Sequence, residues 1–160
     1  MVATNDNILS LLENVMDPEV PVLSILDLGI VRKVDAENKT IVITPTYSGC
    51  PAMQTIEDDI RKILADNGLE NITIETTLTP AWTTDWLSES GRKKLREYGI
   101  APPVGTSKDK NALFGDEKQV SCPQCRSGNT KLISQFGSTA CKSLWYCRDC
   151  QEPFDYFKQF

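Results

Sequence analysis

Six cysteines in a chain that has no histidine limit the chemistry these 160 residues can perform. Four of them stand in two close pairs, Cys122-Pro-Gln-Cys125 and Cys147-Arg-Asp-Cys150, with twenty-one residues between the inner members. Two C-x-x-C pairs supply four thiolates, the number and softness of ligand that suit a tetrahedral zinc ion. A pair of dithiol redox motifs, or a rubredoxin-like iron site, would use the same residues. A tail of roughly forty residues is too small to hold itself by an apolar core alone, so a metal staple is physically needed and structural zinc is the preferred reading.

Cys50 and Cys141 stand outside those pairs. Cys50 lies in Pro45-Thr-Tyr-Ser-Gly-Cys-Pro-Ala-Met53, where an alternating strand hands over to residues at helical spacing. Pro51 suits the first helical position, and a thiol at a helix N-terminus faces backbone N–H groups and the positive end of the dipole. Ser48 and Gly49 are small, which predicts an accessible, reactive or metal-ligating thiol. A buried cysteine acting as a small hydrophobe is the other reading. Cys141 reads as the core cysteine of a short strand, or as a second working thiol beside Lys142. Asp17 and Glu19 flank Pro18 and make an acidic turn whose ordinary fate is solvation.

The elements that must position these groups follow from periodicity. Ile8, Leu11, Leu12, Val15 and Met16 form one helical stripe, capped by Asn5 or Asp6 and stopping before Pro18. Ile30–Val34 and Lys39–Ile43 flank a polar turn and predict a hairpin. The helix after Cys50 should end near Asn67-Gly68, and alternation from Ile72 predicts a third strand running to Pro80. Trp82 and Trp86 are expected to close over the core, ahead of a polar helix from Ser88 to Tyr98. Three strands with helices segregated around them make a small α+β domain. Pro103 to Gln119 is polar with scattered Gly and Pro and reads as a linker.

Composition narrows the function classes. The chain is 40% hydrophobic and 24% charged, an ordinary globular balance. The opening residues lack a signal-peptide pattern and no run approaches a membrane span, so a reducing, cytoplasmic setting without membrane attachment is expected. Residues 1–100 carry sixteen acids against nine bases, and residues 120–160 carry three against five. Such charge argues against a nucleic-acid partner. The absence of histidine removes the usual imidazole base and argues against a thiol enzyme built on Cys50.

The stretch DPEVPVLSILDLGIV (residues 17–31), followed by Thr46-x-x-x-Cys50-Pro51, resembles the MIP18-like (DUF59) family, whose members assist iron–sulfur cluster assembly. The match covers about the first hundred residues. With CPQC, FGSTACK, CRDC and EPFDYFK added, the chain is similar to the PaaD (PaaJ) type of that family, which belongs to the phenylacetyl-CoA epoxidase system. The resemblance implies a DUF59/FSCA-like domain over residues 1–103, a linker over 104–119 and a zinc ribbon over 120–160. It also implies a cytoplasmic accessory protein rather than an enzyme, serving the di-iron oxygenase or its reductase by supplying iron or a transient iron–sulfur cluster. By the same resemblance Cys50 is the cluster or iron ligand, Asp17, Glu19 and Thr46 belong to its site, and Cys122, Cys125, Cys147 and Cys150 hold zinc. Cys141 matches the FGSTACK cysteine. The family C-terminus often reads FKC, whereas Gln159 follows Lys158 here. One thiolate cannot hold a whole cluster, so Cys50 would share it with a second copy in a homodimer, with Cys141, or with the client. Asp17 and Glu19 would instead offer hard oxygen ligands to ferrous iron.

Overall fold

A computed structural model describes residues 3–105 and 119–158, so the expected linker lies largely outside the described residues. The chain forms two compact units, Met1–Gly91 and Arg92–Phe160.

In the first unit, α1 (Asn5–Leu12) is capped by Thr4, whose hydroxyl accepts the Asn7 N–H at 3.2 Å. Asn5 and Asp6, the expected caps, therefore lie inside the helix, and the Asn5 side chain accepts the Ala36 N–H instead. The helix is also shorter than its apolar stripe. Val15 and Met16 fall beyond its end because the chain leaves to bond with a later loop: Ile25 N–H donates to Val15 O, and Asp17 N–H to Leu23 O. Val15 stays buried, whereas Met16 is exposed.

The expected hairpin is present as β1 (Val31–Asp35) and β2 (Thr40–Ile43), paired antiparallel. Asp35 closes its turn by accepting N–H groups of Asn38, and the Lys33 ammonium at 2.8 Å holds its carboxyl well below the usual range. After α2 (Ala52–Asp66) the chain returns as β3 (Thr73–Thr76), parallel to β2, giving sheet order β1-β2-β3. Ile41 and Ile43 of β2 and Ile56, Ile60 and Leu64 of α2 are fully buried, as the two periodicities require. β3 ends at Thr76 rather than running to Pro80.

Between α1 and β1, the Asp27-Leu28-Gly29 turn is clasped by polar groups. Asp27 Oδ2 accepts the Ser24 N–H and hydroxyl, and its Oδ1 accepts the Ser88 hydroxyl at 3.0 Å. Ser88 in turn accepts the Gly91 N–H, at the start of α3 (Glu89–Tyr98). Trp82 is buried and donates its indole N–H to Leu28 O at 2.7 Å. Trp86 is half-buried, with the Arg32 guanidinium 3.5 Å from its ring centroid. Gly29 sits at φ +69°, and a Cβ there would collide with Trp86 backbone and lie 2.8 Å from its Cβ.

The second unit carries a four-stranded sheet of order β4-β7-β6-β5. β5 (Thr130–Ser134), β6 (Lys142–Cys147) and β7 (Pro153–Phe157) are antiparallel neighbours. The short β4 (Ile100–Ala101) adds in parallel to β7, with Ile100 opposite Asp155 and Ala101 opposite Tyr156. β4 is thus bonded into the sheet of the second unit, which begins at Arg92. Among the described residues no helix is long and apolar enough to cross a membrane.

Gly29→Ala should destabilise the protein by at least about 2 kcal/mol, since left-handed strain and a backbone clash combine. The urea midpoint of unfolding measures it.

Candidate metal centre and the Cys50 turn

Each C-x-x-C pair forms the same local turn. The residue after the second cysteine takes a left-handed conformation in both, Arg126 at φ 65° and Gln151 at φ 63°. In both, the first cysteine donates its N–H five residues ahead: Cys122 to Ser127 O at 2.8 Å, and Cys147 to Glu152 O at 3.0 Å. These turns aim backbone N–H groups at sulfur. Ser127 donates to Cys125, Cys150 and Asp149 donate to Cys147, and Glu152 donates to Cys150. The turns sit at the ends of β5 and β6, which pair with Thr130 opposite Cys147 and so bring the two knuckles together.

The four sulfurs lie within 4.8 Å of one another. Cys125 Sγ is 3.5 Å from Cys147 Sγ, and Cys122 Sγ is 3.7 Å from Cys150 Sγ. A tetrahedron of zinc–sulfur bonds of about 2.3 Å has edges of about 3.8 Å, so the quartet fits zinc. The protons respond to the same geometry. The amides of Cys150 and Asp149 lower the Cys147 thiol to about 7. The Glu152 amide pulls Cys150 down, but burial and its three neighbouring sulfurs push it up to about 12. A bound cation supplies the positive charge that lets all four release their protons. Bound there, zinc would act as a structural cross-link held by Cys122, Cys125, Cys147 and Cys150.

Beneath the sulfurs, Cys122 and Cys147 belong to one apolar cluster with Ala101, Val120, Trp145, Phe154 and Tyr156. Trp145 meets Tyr156 edge to face, with ring centroids 6.1 Å apart. Above them, Asp149 clamps one knuckle to the other: its carboxylate accepts the Ser127 hydroxyl and, at 2.7 Å, the Asn129 amide. Those two donors hold its carboxyl below the usual range. Sequence reasoning passed over this clamp, although Asp149 lies inside the second C-x-x-C.

Cys50 occupies the turn into α2. Its N–H donates to Tyr47 O and its carbonyl accepts the Met53 N–H, each at 3.2 Å. Pro51 is the helical-geometry N-cap at φ −67°, ψ −21°, and no side chain caps α2. The accessible thiol expected from Ser48 and Gly49 is corrected: Cys50 is only 8% exposed. Pro45, Thr46 and Ala52 are buried too, so the turn folds over the end of the core and leaves only Ser48, Gly49 and Pro51 outside.

Asp17 is likewise buried, at 5% exposure, and not a solvated turn residue. Its Oδ1 accepts the N–H groups of Glu19 at 2.7 Å and Val20 at 2.9 Å, which turns the chain around Pro18. Glu19 is half-buried. Cys141 is 4% exposed, with the Thr139 hydroxyl 2.9 Å from its sulfur. Among the described residues the tail quartet is the only set of three or more cysteine or carboxylate groups close enough to hold one ion, so Cys50, Asp17 and Glu19 do not form such a set. One feature near Cys50 escaped sequence reasoning: the hydroxyl of Thr44, two residues before Thr46, is buried without a hydrogen-bond partner.

Comparison with known proteins assigns a family to each part of the chain. Residues 5–76 match the family described as iron-sulfur cluster assembly protein, and residues 106–158 match the PaaD zinc beta ribbon domain. Over 151 residues the chain is 50% identical to an Escherichia coli K12 protein named as a putative 1,2-phenylacetyl-CoA epoxidase subunit, covering 93% of this chain and 89% of that one. The chain belongs to the PaaD-type family. Its first part alone is 37% identical over 97 residues to a Bacillus subtilis Fe-S protein maturation auxiliary factor, covering 58% of this chain and 94% of the relative. A solved DUF59 structure from Bacillus anthracis is 29% identical, with a TM-score of 0.49 over 56% of this chain and 89% of that chain. The α+β first part and the cysteine-bearing ribbon are thus those of an iron–sulfur assembly domain joined to a PaaD zinc ribbon.

In this PaaD-type ribbon, removing zinc by chelation should dissolve the packing around Trp145. Near-ultraviolet circular dichroism and amide NMR spectra would follow it, with signals from residues 5–76 expected to persist. Cys147→Ser should lower bound zinc from one equivalent to none. Thr44→Val should raise stability by about 1 kcal/mol, because it removes an unpaired buried hydroxyl; thermal unfolding of the isolated protein checks this.

Proposed function

We propose that this protein is an accessory maturation factor that brings iron or an iron–sulfur cluster to the oxygenase or reductase of a phenylacetyl-CoA epoxidising system. The observation that carries the reading is one chain joining an iron–sulfur assembly domain, with Cys50 at its strand-to-helix turn, to a PaaD zinc ribbon. The cluster or iron is cargo here, and the ribbon zinc is structural.

Cys50 would supply the one soft ligand of the first unit. Its burial suits a ligand that must keep a metal from water, and the exposed Ser48, Gly49 and Pro51 beside it suit handover to a partner. A single sulfur leaves other coordination positions of iron to be filled. Those come from the client or a second copy. Asp17 acts first as a turn-former, since its carboxylate is engaged with backbone. A role for Asp17, Glu19 and Thr46 is therefore to shape the Cys50 site. The ribbon would dock the client in the cytoplasm. A thiol enzyme has no comparable support, because no histidine is present to act as base.

Anaerobic reconstitution with ferrous iron and sulfide tests the proposal. Cys50→Ala should lose most of the visible cluster absorption and fail to mature the client when co-produced with it. Cys50→Ala protein that gains full absorption and yields active client would defeat the reading.

A further inference from the structure

We infer that Cys125 is a peroxide-modification site, and that its oxidation opens the metal centre by joining it to Cys147. Of the six cysteines, Cys125 alone is exposed; Cys50, Cys122, Cys141 and Cys147 are buried and Cys150 is intermediate. A small oxidant in solvent therefore meets Cys125 before any other thiol, and it meets a sulfur held as thiolate by the metal. The sulfur able to complete the reaction is at hand. Cys147 Sγ lies 3.5 Å from Cys125 Sγ and is fully buried, so it is shielded from the oxidant but not from Cys125.

The chemistry balances with hydrogen peroxide as the two-electron oxidant. The Cys125 thiolate attacks one peroxide oxygen; the O–O bond breaks, hydroxide leaves and takes up a proton, and Cys125 becomes a sulfenic acid. The Cys147 thiolate then attacks the Cys125 sulfur, the S–O bond breaks, and a second hydroxide leaves as water. Two thiolates, one peroxide and two protons have become one disulfide and two waters. Only Cys122 and Cys150 then remain as thiolates, and two sulfurs do not hold zinc in a four-ligand structural site. Because Cys122 and Cys147 are also members of the apolar cluster under the metal, losing zinc loosens the whole ribbon. A dithiol reductant returns two electrons and restores the ligands.

Trypsin separates the two knuckles, and fragmentation of the linked peptide by tandem mass spectrometry tells Cys125 from Cys122 within the first. Cleavage after Lys and Arg places Cys122 and Cys125 in residues 119–126, Cys147 in residues 143–148 and Cys150 in residues 149–158. The test uses the full chain, shown beforehand to carry one zinc equivalent. It is treated with limiting hydrogen peroxide beside a colour-forming zinc chelator, then blocked and digested. The expected result is one zinc released per disulfide, residues 119–126 linked to residues 143–148, and zinc uptake restored by dithiothreitol. Cys141→Ser protein should behave identically. Zinc retained through a tenfold molar excess of peroxide would overturn the proposal. So would zinc release with the disulfide inside residues 119–126, or with oxidation confined to Cys50 or Cys141.

Discussion

Four sulfurs gathered within 4.8 Å are an unfavourable arrangement without a cation among them. As thiolates they repel, and as thiols they crowd protons into a partly buried space. The spread of the proton affinities, with Cys147 near 7 and Cys150 near 12, expresses that conflict. One divalent ion resolves it, and much else in the second unit depends on the solution. Cys122 and Cys147 are as much part of the apolar core as Trp145 and Phe154, so the candidate metal site and the core are one structure. Strand pairing, the left-handed residues Arg126 and Gln151, and the Asp149 clamp all act to keep the two knuckles in register.

The first unit is held by different means, and three of its acidic residues serve the loops, two of them, Asp17 and Asp27, from buried positions. Asp17 makes the turn around Pro18, Asp27 clasps Ser24 to Ser88, and Asp35 closes the hairpin. Asp17 and Asp27 satisfy N–H or hydroxyl groups that their loops would otherwise bury unpaired. With these carboxylates engaged, Cys50 is the side chain of this unit best suited to ligate a soft metal, and Thr44 leaves a buried hydroxyl beside the same segment without a partner.

Much of this was legible in the sequence because it rests on local rules. The C-x-x-C spacing predicted the quartet, since a knuckle is a turn of a few residues. The hairpin and α2 followed from periods of two and 3.6 residues, and the α2 stop followed from Asn67-Gly68. The misreadings have a common origin. The stripe through Val15 and Met16 looked helical because both apolar helices and apolar loops satisfy it, and only the bonds from Ile25 and Asp17 decided between them. β4 was invisible because two residues carry no periodicity, and its partner β7 lies more than fifty residues along the chain.

Residue type and spacing alone therefore determined the α+β first part, the gathering of four cysteines and the turn that presents Cys50. Burial was decided only in three dimensions. Small neighbours at Ser48 and Gly49 suggested an open thiol, yet Cys50 is covered because Pro45, Thr46 and Ala52 fold inward with it. A charged pair at Asp17 and Glu19 suggested solvation, yet Asp17 is enclosed because its own loop wraps its carboxylate. Exposure depends on how a turn folds in space, and a single chain of letters records only the order of its residues.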